Sequence, residues 1–362
     1  MKKILPVAAV LCCLFSQTAA AEDKQILTVM SHESFNVTRE LVTDFEKKNN
    51  VTVRFLKGGD GGSMLVQAIL SRENPLADVI FGIDNTFFSR AIKGDILEPY
   101  QSPLLSMVAK ELQLDPQYRL LPVDYGDVCL NYDKKWFTSR SIEPPAQLED
   151  LVKPAYKGLL VVENPATSSP GLAFLLATIG HFGDGDDGYL HFWEQLKKND
   201  VLIADGWSDA YYNHFTAASK GDRPIVVSYA SSPAAAVYYA EEKGGEAPTA
   251  AVIGNRSAFR QIEFVGILKG TKNRALAEKF IDFMLSRTFQ EDIPLQMFVF
   301  PVNKTAQLPD VFKKHAILAE ETLPDVFKKH AILAEETAVV DPATIEQNRE
   351  AWLAAWSNLM LH

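Results

Sequence analysis

Within Asp205-Gly206-Trp207-Ser208-Asp209-Ala210-Tyr211-Tyr212, a tryptophan, two carboxylates, a hydroxyl and two phenols fall in eight consecutive positions. The apolar run 201–204 before it reads as a strand, and a helix-like segment with His214 and Phe215 follows. Gly206 lets the chain turn as it leaves the strand, and Ser208 is positioned to cap the next helix. Trp207 then sits at the C-terminal mouth of a strand, where open α/β sheets keep their ligands. An indole face attracts positive charge and a neighbouring carboxylate neutralises it, so the pattern suits a flat cation. A core tryptophan flanked by surface polar groups is the competing reading of this stretch alone.

Other candidates share the property of lying at helix starts. Thr167-Ser168-Ser169-Pro170-Gly171 offers hydroxyls and free backbone N–H groups, a site for an anion or polar group. Ser231-Ser232-Pro233 repeats the device, and Asp60-Gly61-Gly62-Ser63 adds a carboxylate beside glycine-exposed backbone. Any single one of these is also an ordinary helix cap. Two tyrosine pairs, Tyr211-Tyr212 and Tyr238-Tyr239, raise ferric iron, because phenolate oxygens suit a hard cation; in a helical context one of the second pair would be buried. Catalysis finds no support: there is no Gly-x-Ser-x-Gly, His-Glu-x-x-His, Walker-type or Rossmann glycine motif, and no base is identifiable for Ser63. The seven histidines show no ligand spacing on one element, so neither a metal site nor a cofactor is expected.

The elements that would position these residues alternate strand and helix. Strands are expected at 25–31, 51–55 and 77–82, helices at 38–48 and 64–71, and Asp84-Asn85 could cap the helix after the third strand. Residues 121–126 read as a crossing segment and 128–132 as a strand beyond it. Residues 159–162 and 225–229 are further strands, each followed by a helix (172–179 and the one behind Ser231-Ser232-Pro233). Residues 264–268 make a return strand and 273–285 an amphipathic helix. The alternation argues for a mostly parallel α/β sheet. Two crossings divide the chain into a discontinuous lobe, 22–124 with 263–362, and a continuous lobe, 125–262, with a cleft between them. Residues 308–322 recur unchanged at 323–337, and such a pair is too short for a solenoid. One copy is expected to pack while the other bulges or extends a surface helix; no function attaches to it.

The chain opens with Met1-Lys2-Lys3, an apolar run to Phe15 and Thr18-Ala19-Ala20-Ala21, the pattern of a secretory signal peptide (1–21) cut after Ala21. Cys12 and Cys13 do not make a lipid-attachment site, because Leu11 stands where a small residue is needed. The mature chain keeps only Cys129 and can form no internal disulfide. With a formal net charge of −10 over the full sequence and no basic run, the chain has no electrostatic footprint for nucleic acid. A soluble exported binding protein is the class that remains.

The ordered set of His32-Glu33-Ser34-Phe35, Asp60-Gly61-x-Ser63, Ala77-Asp78-Val79-x-x-Gly82-x-Asp84-Asn85, Val123-Asp124-Tyr125-Gly126, Thr167-Ser168-Ser169-Pro170-Gly171, Gly206-Trp207-Ser208 and Ser228-Tyr229-x-x-Ser232-Pro233 resembles the periplasmic thiamine-binding proteins of ABC importers. The likeness runs from about Leu27 to Trp356. It implies a two-lobed type II periplasmic binding protein fold that closes on thiamine, thiamine phosphate or thiamine diphosphate, acts as a monomer and delivers to a membrane ABC permease. By resemblance, Asp60 and Gly61 hold the ligand from one lobe, and Ser168 and Ser169 meet its hydroxyethyl or phosphate end. Trp207 stacks on a ring, and Tyr229, Ala230, Ser231 and Ser232 line the remaining wall. His32 stands where that family usually has a tyrosine and Phe298 where a tryptophan is expected. Both keep a ring, but His32 can charge near neutral pH, which would repel thiazolium and favour a phosphate. The alternative within the same fold is a receptor for ferric iron or a polyamine.

Overall fold

The computed structural model describes residues 24–240, 245–254, 256–319, 332–334, 340 and 342–362. The leader expected at 1–21, with Cys12 and Cys13, lies outside the described residues, as does most of the second copy of the duplication. No described helix is long and apolar enough to cross a membrane.

The N-terminal part runs β1 (Gln25–Ser31), α1 (Arg39–Asn49), β2 (Val51–Lys57), α2 (Gly61–Leu70), β3 (Val79–Asp84), α3 (Phe88–Lys93) and β4 (Leu97–Glu98). Then come β5 (Leu121–Asp133), α4 (Lys134–Arg140), β6 (Leu160–Glu163), α5 (Ser169–Phe182), α6 (Tyr189–Lys198) and β7 (Leu202–Ala204). The single turn α7 (Trp207–Asp209) precedes β8 (Ile225–Tyr229), α8 (Ser232–Tyr239), β9 (Thr249–Val252) and β10 (Phe259–Leu268). The chain ends with α9 (Arg274–Leu285), α10 (Arg287–Gln296), β11 (Phe300–Pro301), α11 (Asp310–His315), β12 (Ile317–Ala319), β13 (Ile332–Ala334) and α12 (Pro342–Met360).

The strands join in the order β2-β1-β3-β10-β5-β8-β6-β7. β1 pairs with β2 and β3 in parallel, and so does β6 with β7 and β8. Between these parallel halves lie β5 and β10, antiparallel to each other and to their outer neighbours. The sheet is therefore mixed rather than mostly parallel. The crossing segment and the strand expected after it are one thirteen-residue strand, β5, and the return strand begins at Phe259 rather than at 264. β10 joins the first half through β3, β5 joins the second through β8, and the two pair with each other at the centre.

Burial follows from composition. β3 is buried on both faces, and α5 is buried from Ser169 to Ile179, packing on β5, β6, β8 and β10 and against α6. α12 packs on α6 and reaches the start of α3. Arg349 donates to the Thr86 carbonyl at 3.1 Å, while Trp356 meets Trp193 of α6 edge to face at 5.4 Å. In the duplication, the first copy packs: Phe312 of α11 is buried against Phe300. The described part of the second copy, β13, is a strand in parallel register with β12, Ile317 opposite Ile332, rather than an extension of a helix.

Candidate functional site

A cavity of about 640 Å³ opens between elements from opposite ends of the sheet, a size suited to a small-molecule ligand. It is lined by eight of the eleven residues expected from the sequence: His32, Asp60, Gly61, Ser169, Trp207, Tyr229, Ser232 and Phe298. The other three stand behind the wall. Ser168 is fully buried and caps α5 by accepting from the Gly171 N–H at 3.4 Å. Ala230 packs beside Cys129 and Ala258. Ser231 donates its hydroxyl hydrogen bond to the Phe298 carbonyl. Helix-start hydroxyls are thus used as caps and braces before any remain for a ligand.

Trp207 is held on several sides. Its indole N–H donates to Ser228 at 2.9 Å, and its ring stacks on Tyr211 at 4.9 Å and 22°. The backbone beyond α7 continues as a π-turn over Ala210–His214, a local widening frequent at functional sites. Ser208 does not cap this helix; Gly206 takes that position, and the Ser208 hydroxyl lies 3.1 Å from that of Ser34. Nor is Gly206 needed for a turn, since its φ of −165° is ordinary extended backbone. Space is what it supplies: a Cβ there would sit 2.9 Å from Asp60 Oδ2.

Asp60 caps α2 with Oδ1, which accepts from Gly61 N–H at 2.7 Å, while Oδ2 accepts from Trp207 N–H at 2.9 Å. Its carboxylate therefore joins the two sides of the cleft through backbone donors. Burial pushes its pKa up, opposed by hydrogen bonds from Trp207, Gly61, Ser168 and Ser169.

His32 follows β1 and is buried, its ring placed by Gly82, where φ is +98° and a Cβ would lie 2.2 Å from the imidazole. Burial first, and Lys57 second, pull the imidazole pKa down to about 3. The expectation that His32 charges near neutral pH is therefore overturned, and with it the repulsion of a thiazolium by this residue. Asn85 does not cap α3; it bonds to the β10 backbone at Ile262 and Arg260, while Asp84 accepts from Thr86 and Phe87.

The tyrosine pairs do not present phenolates. Tyr211 is buried under Trp207, and burial pushes the phenols of Tyr211, Tyr212 and Tyr239 up rather than down. Neither Tyr238 nor Tyr239 is buried; Tyr239 lies at the cavity mouth, 5.3 Å from Phe298. No cluster of three His, Cys, Asp or Glu side chains able to hold a metal occurs among the described residues.

Sequence reasoning missed the floor of the cavity, Gln261 and Glu263 of β10. Glu263 is buried, opposite Asp84 of β3 and Asp124 of β5, and its Oε1 lies 3.5 Å from His32 Nε2. Gln261 Oε1 accepts from the Tyr229 hydroxyl at 3.1 Å. The signal was present as two polar residues alternating with Ile262 and Phe264 just ahead of the assigned return strand.

A cleft with rings, buried carboxyls and capped helix starts binds solutes, and comparison with known proteins agrees. Residues 74–319 match the bacterial extracellular solute-binding protein family. The chain belongs to that family. Its members are carriers rather than enzymes. Over 98% of its length and 98% of theirs, the chain is 30% identical to the thiamine-binding periplasmic proteins of Salmonella typhimurium and Escherichia coli. The solved structure of a periplasmic thiamin binding protein superposes with a TM-score of 0.75 at 27% identity, covering 94% of this chain and 98% of that one. A ferric binding protein from Campylobacter jejuni, at 18% identity and a TM-score of 0.69 over 92% of this chain and 99% of its own, shares the type II periplasmic binding protein fold.

Proposed function

We propose that this chain is a periplasmic receptor that captures thiamine, together with its mono- and diphosphate, and delivers it as a monomer to a membrane ABC permease. The observation that carries the reading is the combination in one cavity of the Trp207–Tyr211 stack with the half-buried carboxyl of Asp60 and the buried one of Glu263. A thiazolium joined to an aminopyrimidine needs aromatic faces, compensation for one positive charge and a few hydrogen bonds. The relatives named for thiamine, at 30% identity over nearly the whole chain, support the same choice.

In this reading Trp207 stacks on a ring, Tyr229 and Phe298 close the walls, and Ser169 at the start of α5 meets the hydroxyethyl or phosphate end. Neutral His32 leaves the thiazolium unopposed. Residues 22–124 with 263–362 move as one lobe against 125–262, and ligand stabilises the closed arrangement.

Tryptophan fluorescence of the mature protein titrated with thiamine, and then with thiamine diphosphate, tests the proposal. Saturable quenching is expected, with Trp207→Ala weakening binding by roughly 2 kcal/mol or more as a stacked anchor is lost. Absence of any response to either ligand would sink the vitamin and send the test to ferric iron and polyamines. Unchanged affinity in Trp207→Ala would reject the site.

A further inference from the structure

Three carboxyl side chains lie in a row across three strands under the cleft. In the paired register Asp84 of β3 stands opposite Glu263 of β10, and Glu263 opposite Asp124 of β5. The pairing with β5 shifts register right after Glu263, skipping Val123, and the pairing with β3 shifts one residue later, skipping Gly82. Such bulges re-aim side chains beside functional sites. All three carboxyls are buried, and no lysine or arginine forms an ion pair with any of them among the described residues. Like charges directly opposite one another on adjacent strands repel, so the row is not held together by its own charge.

A second observation points from this row into the cavity. Gln261, 1% exposed, lines the cavity with its Nε2 unpartnered, and the buried His32 Nε2 has no hydrogen-bond partner where it faces Glu263. Unpaired buried polar groups are costly, which marks the floor as prepared for a polar guest: the amide of Gln261 asks for an acceptor, and the carboxyl row beside it for positive charge. The charged and titratable surroundings are few. Asp60 reaches over from α2, the Tyr229 phenol from β8 and His32 from the loop after β1. Lys57 is engaged by the carbonyls of His32 and Phe35, and Arg260 by Asp127.

We propose that Glu263 is the specificity-determining residue of the cleft, and that the Asp84–Glu263–Asp124 row holds a proton in the ligand-free protein and releases it to solvent when a cation docks. The inference rests on the cationic-ligand reading above. No bond other than O–H changes: the carboxyl gives its proton to the buffer, and the resulting carboxylate balances the charge of the guest. Selectivity follows, because a neutral analogue of the same shape offers nothing to replace that proton.

The direction of the surrounding titrations agrees. Burial pushes Glu263 well above the usual carboxylate range, with Asp124 adding to it, and burial likewise raises Asp124 and Asp84. A raised carboxyl keeps its proton until the pH climbs past the ordinary carboxylate range. A bound cation lowers that threshold, so binding releases a proton and tightens as pH rises, by at most about tenfold per pH unit for one proton.

Calorimetric titration of the mature protein with thiamine in phosphate and in Tris, whose ionisation heats differ, reads the proton directly. Release of up to about one proton per thiamine is expected at neutral pH, and none in E263Q. Infrared spectroscopy of the ligand-free protein should show the carbonyl stretch of a protonated buried carboxyl, weakened in E263Q. Thiamine binding with no buffer-dependent heat, equal release in E263Q, or a ligand-free spectrum without that stretch would each overturn the proposal. Should E263Q fail to fold, D124N removes the other end of the pair and serves the same comparison. If thiamine does not bind, the functional reading fails, and the infrared arm alone decides whether the row is protonated.

Discussion

The Ser231 hydroxyl donates to the carbonyl of Phe298, a residue held at φ +55° in the left-handed region that L side chains avoid. Such conformations persist where surrounding bonds over-determine them, and here the bond fixes a ring that lines the cavity. Ser231→Ala should cost about 1 kcal/mol in urea denaturation, the worth of one such bond. It should also weaken thiamine binding, but by less than Trp207→Ala; stability and affinity both unchanged would refute the brace. Residue types were legible in the sequence wherever a side chain is conspicuous by itself, as at Trp207. They were not legible at Ser168 and Ser231, because a hydroxyl at a helix start looks the same whether it faces a ligand, caps α5 or braces a neighbour.

At the scale of the element, the bulge at Gly82 carries the greatest demand. Its φ of +98° suits glycine, and a side chain there would meet the His32 ring. Gly82→Ala is expected to destabilise the fold by about 2 kcal/mol or more, through strain and displacement of His32 from Glu263. A thermal melt matching that of the unsubstituted protein would show that the bulge relaxes freely. Helix and strand positions were largely readable from periodicity: β1, β8 and α9 fall within a residue of expectation. The length of β5 and β10 was not, since Pro122 and Gly126 in one and polar Gln261 and Glu263 in the other interrupt the apolar pattern. Gln261 and Glu263 line the cavity, so in β10 the rule of buried apolar strands failed where the site intervenes.

For the whole molecule, the cleft is bridged by bonds the protein makes to itself. Asp60 Oδ2 accepts from Trp207 N–H, Ser34 meets Ser208, and Ser63 N–H donates to the Thr167 carbonyl at 3.3 Å, all across the cleft. Asp60→Ala removes the charge-assisted member, worth about 2 kcal/mol. The ligand-free variant should open, seen in small-angle scattering as a larger radius of gyration, while an identical scattering curve would deny the latch. The two-lobed plan could be inferred from the sequence, but not which side chains span the gap, because contacts between Asp60 and Trp207 join positions far apart in the chain. The duplicated segment carries a different consequence. Residues 308–322 and 323–337 are identical, so the seat filled by Phe312 of α11 fits the second copy side chain for side chain. One polypeptide thus encodes two threadings, differing only in whether the surplus fifteen residues follow the seated copy or precede it. Chemistry cannot tell them apart; only the entropy of the flanking loops and the order of synthesis can, which makes this protein a candidate for folding isomers of a single covalent chain.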